Sequence, residues 1–186
     1  SGVPSFAYSV ALFNGYAYVA DADSGLRVID VSNPNSPTAP GTVEFRDPLP
    51  PSDWARGVAL SNGYAYVAGS YSGLRVIDVS TPTSSIEVGS LSTPSHAFDV
   101  AVADNFAYVA ALSGGLRVID ISTPESPIEV GYIETVGGAE GVAGSGDYAY
   151  VAAGRSGLRV IDVSVVGAMV EVGYLDTPGF AGGVDV

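Results

Sequence analysis

The chain reads as short apolar runs separated by turn residues, and the runs recur in a fixed order. GLRVID occurs four times, beginning at Gly25, Gly73, Gly115 and Gly157, so successive copies stand 48, 42 and 42 residues apart. Ahead of each copy stands an aromatic run: GYAYVA from Gly15 and from Gly63, NFAYVA from Asn105 and DYAYVA from Asp147. Upstream again, alanine and valine are three apart, as Ala7 and Val10, Ala55 and Val58, Ala97 and Val100, and Ala139 and Val142. Downstream, after linkers rich in Ser, Thr, Asn and Pro, come SIEVGSL, PIEVGYI and MVEVGYL, with the looser GTVEF in the first unit. Runs of β-branched and aromatic residues bounded by Asn-Gly, Ser-Gly and Pro turns are strand signals, and no segment carries helical periodicity. Each unit therefore predicts four strands, A to D.

Four short strands repeated about every 42 residues match a propeller blade rather than a β-helix coil or a helical solenoid repeat. The runs are apolar on both strand faces, as YAYVA and GLRVIDV show, which suits a blade covered on both sides by its neighbours. The expected fold is all-β, a β-propeller segment over residues 1–186 with four-stranded blades at about 7–46, 55–91, 97–133 and 139–175. The tail 180–186 repeats the A-strand pattern, with Ala181 and Val184 in the alanine and valine positions and Val186 beyond, so a fifth blade begins there without strands B to D. A lone four-bladed ring has no place for a second A strand. Either the segment belongs to a longer array, such as a ring of seven or eight blades, or Ala181, Val184 and Val186 serve assembly with other copies, as a closed dimer or a filament.

These residues resemble the LVIVD repeat family, whose units carry an aromatic AYVA strand followed by a GLxVIDVS-like strand and a proline-containing turn. The likeness covers almost the whole chain; the fourth unit departs only in having Ser-Val-Val-Gly-Ala where the others have the proline turn. The resemblance implies a β-propeller, commonly in extracellular or surface-associated proteins, and implies no particular chemistry.

Charge narrows the function. Twenty acidic residues face seven basic ones, all arginine, and the net charge of −13 repels nucleic acids and anionic lipid surfaces. No run is long enough to insert into a membrane as a helix. Lysine and cysteine are absent and His96 is the only histidine, which excludes Schiff-base lysines, thiol nucleophiles and multi-Cys/His zinc sites. No cofactor or metal is expected. The N-terminal Ser-Gly-Val-Pro-Ser lacks the basic and apolar regions of a signal peptide, as a mature or excised segment would.

The repeat supplies its own control: residues recurring in every unit serve the scaffold, while differing residues at equivalent positions are free to meet a ligand. Arg27, Arg75, Arg117 and Arg159 recur, with Asp30, Asp78, Asp120 and Asp162 three residues on, so these read as inter-blade ion pairs or turn-stabilising groups. Tyr18, Tyr66, Tyr108 and Tyr150 read as packing residues. The unrepeated residues gather on the D-to-A and B-to-C loop face: the insertion RDPLPPSDWA, with Arg46, Asp47, Asp53 and Trp54, and the A-strand starts Tyr8, Arg56, His96, Asp99 and Glu140, which would ring the channel mouth.

Asp21 and Asp23 in DADSG resemble the start of a calcium loop but lack its other ligands. SHAFD places His96 near Asp99 without a nucleophile elbow. The leading expectation is thus a non-catalytic extracellular or cell-surface module for protein interaction or assembly, its partners proteins that include other copies of itself. The alternative is lectin-like binding of carbohydrate or another small ligand around Trp54. A hydrolase using Asp99 and Glu140 is third.

Overall fold

In the computed structural model, residues 6–45 and 53–186 are described; Arg46 and Asp47 of the insertion, and with Arg46 the expected end of blade one, lie outside them. Four antiparallel four-stranded sheets follow one another along the chain, each with its strands in sequence order. Blade one comprises β1 (Ala7–Phe13), β2 (Tyr16–Asp21), β3 (Leu26–Asp30) and β4 (Thr38–Val43); blade two, β5 (Gly57–Ser61), β6 (Tyr64–Gly69), β7 (Gly73–Asp78) and β8 (Ile86–Leu91). Blade three comprises β9 (Asp99–Ala103), β10 (Phe106–Ala110), β11 (Leu116–Asp120) and β12 (Ile128–Ile133); blade four, β13 (Gly141–Ser145), β14 (Tyr148–Ala152), β15 (Leu158–Asp162) and β16 (Val170–Leu175). The fold is a propeller-like all-β array of four blades. Where the fourth unit lacks the proline, Val166–Ala168 closes the same 3₁₀ turn that Pro82–Ser84 forms in the second, with the same i to i+3 hydrogen bond, so the turn forms without the fixed proline φ.

The core lies between blades. Tyr18, Ala20, Leu26 and Val28 of blade one bury against Ala55, Val58, Ala65, Val67, Ile77 and Val79 at and in blade two. The equivalent residues meet again at the next two interfaces, Tyr66, Ala68, Leu74 and Val76 against blade three, then Tyr108, Ala110, Leu116 and Val118 against blade four. Every blade thus has a leading face of Tyr, Ala, Leu and Val and a trailing face of Ala, Val, Ala, Val, Ile and Val or Ile. This is why YAYVA and GLRVID are apolar on both sides of the strand. Backbone rungs add to the apolar contact: Ala22 pairs with Ala55, Ser70 with Ala97, Leu112 with Ala139 and Gly154 with Ala181, each joining a B-to-C turn to the next A segment. The fifth-unit start therefore docks on blade four as its counterparts dock on earlier blades, although residues 182–186 form no strand.

Of the two roles read from sequence for the recurring charges, inter-blade ion pairing and turn stabilisation, the aspartates take the second and the arginines pair elsewhere. Asp30, Asp78, Asp120 and Asp162 end their strands and accept the backbone N–H of the serine two residues on, at 2.8 to 2.9 Å. Hydrogen bonds from the hydroxyl and the backbone N–H of the same serine hold their carboxyls below the usual range. The arginines pair within their own blade or its adjoining loop. Arg75, Arg117 and Arg159 reach the D-strand acids Glu87, Glu129 and Glu171 at 2.8, 3.3 and 3.3 Å, and Arg27 reaches Asp21 at 3.4 Å. Side chains alternate across a strand, so an arginine three residues before the aspartate points to the other face and finds the neighbouring strand instead.

Arg75 has a further partner in Asp53, at 3.0 Å, with both side chains almost wholly buried at 6% and 3% exposure. Asp53 also accepts the Ser72 N–H. Removing one member of a buried, hydrogen-bonded pair strands the other charge. Arg75→Met is expected to lower unfolding free energy by about 3–5 kcal/mol. Arg27→Met, at a side chain 43% exposed, should cost under about 1 kcal/mol. Urea unfolding of both variants checks the contrast. The glycine opening each GLRVID lies at φ +71 to +80°, and a Cβ there would overlap the carbonyl oxygen of Val43, Leu91, Ile133 or Leu175 at the end of strand D. Gly73→Ala is accordingly expected to cost more than about 1 kcal/mol by the same measurement.

Candidate functional site

The A segments share the pattern Ala-x-x-Val, and its first variable position holds Tyr8, Arg56, Phe98, Glu140 and Gly182 in turn. The inner strands pack side by side, β1 on β5, β5 on β9 and β9 on β13, while no comparable packing joins β13 back to β1 among the described residues. These A-strand starts therefore face one another around a common cavity of about 400 Å³, lined by Tyr8, Ser9, Arg56, Phe98, Asp99, Glu140, Gly182 and Gly183.

The Arg56 guanidinium lies against aromatic rings, its Cζ 3.9 Å from the centre of Phe98, 4.9 Å from Tyr8 and 5.3 Å from Trp54. Tyr8 and Trp54 stack at 6.3 Å with a 24° interplanar angle. Cation–π contact of this kind stabilises a guanidinium without neutralising it. Among the described residues Arg56 forms no salt bridge within 4.0 Å, and its Nε and the Trp54 Nε1 are buried without an acceptor. Glu140 lies within electrostatic reach of Arg56; burial raises its carboxyl above the usual range and the arginine charge partly opposes that rise.

Asp99 does different work from its neighbours. Its Oδ1 accepts the Val100 N–H at 2.9 Å and its Oδ2 accepts the Val142 N–H at 3.1 Å, so the carboxylate straps blade three to blade four where blades two and four carry Gly57 and Gly141. His96, the other half of the SHAFD pattern, turns away. It packs on Tyr71 at 3.9 Å between ring centres, and no hydrogen bond joins it to Asp99. The Ser70–Ala97 rung brings the turn bearing Tyr71 beside the segment bearing His96. Of the residues singled out from sequence, Tyr8, Arg56, Asp99 and Glu140 line the cavity, Trp54 backs it, and His96 stands apart. Phe98, Ser9, Gly182 and Gly183 were not singled out, although Phe98 and Gly182 share the variable position with Tyr8, Arg56 and Glu140. Asp21 is paired with Arg27, and among the described residues no group of three or more potential metal ligands gathers anywhere.

Burial raises the Asp99 carboxyl above its ordinary range, although the two N–H donors oppose the shift. The folded chain then holds the proton more tightly than the unfolded chain, so this group's contribution is most favourable below the unfolded value of about 3.9 and declines as pH rises through the higher folded value. Relative to the wild type, Asp99→Gly should therefore gain stability as pH is raised from about 3.5 to 7. Denaturant unfolding of both chains across that range checks the sign; a difference independent of pH would contradict the assignment.

The chain has likenesses among solved structures and repeat families. No curated protein matches it. Among solved structures, it is similar to the computationally designed Ika4 protein at 15% identity, with a TM-score of 0.68 over 86% of this chain and 92% of that one. It is also similar to the computationally designed Ika8 protein at 15% identity, with a TM-score of 0.55 over 96% of this chain and 63% of that one. At such identity the likeness concerns the fold alone. The LVIVD repeat model matches four times, over residues 6–44, 54–93, 94–135 and 136–177, in step with the four blades, and the chain belongs to the LVIVD repeat family.

Proposed function

We propose that this chain is a non-catalytic interaction module that joins end to end with a second copy of itself, the leading face of blade four on one copy covering the trailing face of blade one on the other. The observation that carries this reading is that both end faces repeat residues buried three times inside the chain. On the trailing side, Val10 is 60% exposed whereas its equivalents Val58, Val100 and Val142 are 7, 5 and 4% exposed. Val19, Ile29 and Val31 are likewise only half-buried. On the leading side, Tyr150, Leu158 and Val160 are half-buried where their counterparts in the other blades are buried. The outer strands agree: a Cβ on Gly41, Gly89 or Gly131 would press on a carbonyl of the next blade's C-to-D turn, Pro82, Pro124 or Val166. At Gly173 a Cβ would meet only Val160 of its own blade, at 3.9 Å. Pro34 is the matching turn residue of a second copy.

An apolar face of this kind, with unpaired strand beside it, favours association. The contact is heterologous, so two copies close into a ring of eight blades if the rotation permits and otherwise extend into a filament. The segment from Ala181 holds the Gly154 rung that Ala7 of the incoming copy would take, through two backbone hydrogen bonds of 2.9 and 3.0 Å, so association displaces it. We place the module outside the cell or on its surface; this rests on the family resemblance and on an acidic, lysine-free and cysteine-free composition. Recovery of the native protein only from the cytoplasm would contradict that placement.

Sedimentation velocity over a concentration series is expected to show species of at least twice the mass of one chain. Ending the chain at Thr177 should tighten the association. Val10→Asp should abolish it while changing monomer stability by no more than about 0.5 kcal/mol. The same change at the equivalent buried position, Val58→Asp, should cost on the order of 3 kcal/mol or more. A monodisperse monomer for both the full and the shortened chain at all concentrations would overturn the reading.

A further inference from the structure

The channel-mouth cavity joins groups of three kinds, and together they select a ligand. The first is a cation that forms no salt bridge within 4.0 Å among the described residues. Arg56 is held by ring faces, and its buried Nε lacks an acceptor. A planar guanidinium held by its faces offers its edge, the geometry that suits a carboxylate.

The second group is acidic. Glu140 stands at the position equivalent to Arg56 two units on, and Asp99 has one acceptor site left on each oxygen after receiving Val100 and Val142. These carboxyls want donors, and with a chain charge of −13 they disfavour a compact dianion such as phosphate or sulfate. The third is apolar: Tyr8 and Phe98 line the cavity. One wall is bare backbone, because Gly182 and Gly183 stand where the four complete units carry Tyr8-Ser9, Arg56-Gly57, Phe98-Asp99 and Glu140-Gly141. A Cβ on Gly183 would meet nothing within 4 Å.

A plain anion leaves the acids unserved, a neutral sugar leaves Arg56 unpaired, and a cation meets Arg56. One carboxylate on a body bearing several hydroxyls and an apolar ring face satisfies all three groups. We propose that the channel mouth binds an acidic saccharide of the uronic-acid type, its carboxylate on Arg56, its hydroxyls donating to Glu140 and Asp99, and its ring face against Tyr8 or Phe98. The cavity, about 400 Å³, lies within the usual range for small-ligand sites. Gly182 and Gly183 belong to the segment that association would displace, so binding is measured at concentrations where the chain is monomeric, and a lack of association leaves the site intact.

Titration calorimetry with a galacturonic acid disaccharide, its methyl ester, the neutral galactose disaccharide and inorganic phosphate tests this on the full chain. The acid disaccharide is expected to bind, with the ester and the neutral sugar at least about tenfold weaker and phosphate showing no heat. Arg56→Gln should weaken the acid disaccharide by about tenfold or more and remove its preference over the ester. Tyr8→Ala, at a ring 45% exposed whose loss leaves the core untouched, should weaken acid and ester alike, and provides the test if Arg56→Gln does not fold. No binding of the acid disaccharide at about 10 mM, equal affinity for the neutral sugar, or preferential binding of phosphate would overturn the proposal.

Discussion

Everything in this molecule depends on burying one blade face in the next. A single four-stranded sheet with both faces apolar has no stable state alone in water; it needs a neighbour on each side. Here that need is met by one repeated fit, a face of Tyr, Ala, Leu and Val against a face of Ala, Val, Ala, Val, Ile and Val or Ile, formed three times. Small and large side chains alternate so that the layers interlock, and the glycines Gly41, Gly89 and Gly131 let the outer strands approach the next turn without a side chain between. Charges are subordinate to this packing. The recurring arginines satisfy acids of their own blade, and the recurring aspartates tie off their own turns.

A repeated interface leaves two unmatched faces unless the array closes. Among the described residues the inner strands run from β1 to β13 with no comparable packing back to β1. The two end faces therefore repeat the two halves of the internal interface, and the proposed assembly requires no surface beyond the one that holds the chain together. The channel mouth is the opposite case. Its chemistry is carried by the two variable positions of the A segment, which hold Tyr-Ser, Arg-Gly, Phe-Asp, Glu-Gly and Gly-Gly in the five units.

The fold was legible in the sequence because its cause is periodic. Four recurring runs give four strands, and apolarity on both faces of a strand has few explanations other than a blade between blades. The partners of the charges were harder to read. GLRVID followed by Val-Ser or Ile-Ser contains the local donor, a serine two residues past each aspartate, and that short-range hydrogen bond takes the carboxylate before any neighbouring blade can. The position of Trp54 beside Tyr8 and Arg56 depends on how far one blade rotates from the next, which spacing does not encode. His96 and Asp99 are close in sequence, yet the rung between Ser70 and Ala97 delivers His96 to Tyr71 instead. Phe98 and Gly182 could have been found by comparing equivalent positions across units rather than by searching for reactive side chains.

The absence of cysteine makes the central claim open to a direct measurement. Gly154 occupies the rung that Ala22, Ser70 and Leu112 occupy in the other blades, all with φ between +33 and +55°, so a side chain is accommodated there. Paired antiparallel positions of this type lie within disulfide reach. One preparation carrying Ala7→Cys and another carrying Gly154→Cys can be mixed and oxidised. If blade four of one copy covers blade one of the next, a disulfide forms between the two different chains and far less within either preparation alone. Cross-linking confined to like chains, or none at concentrations where the chain associates, would show that the end faces do not meet in this way.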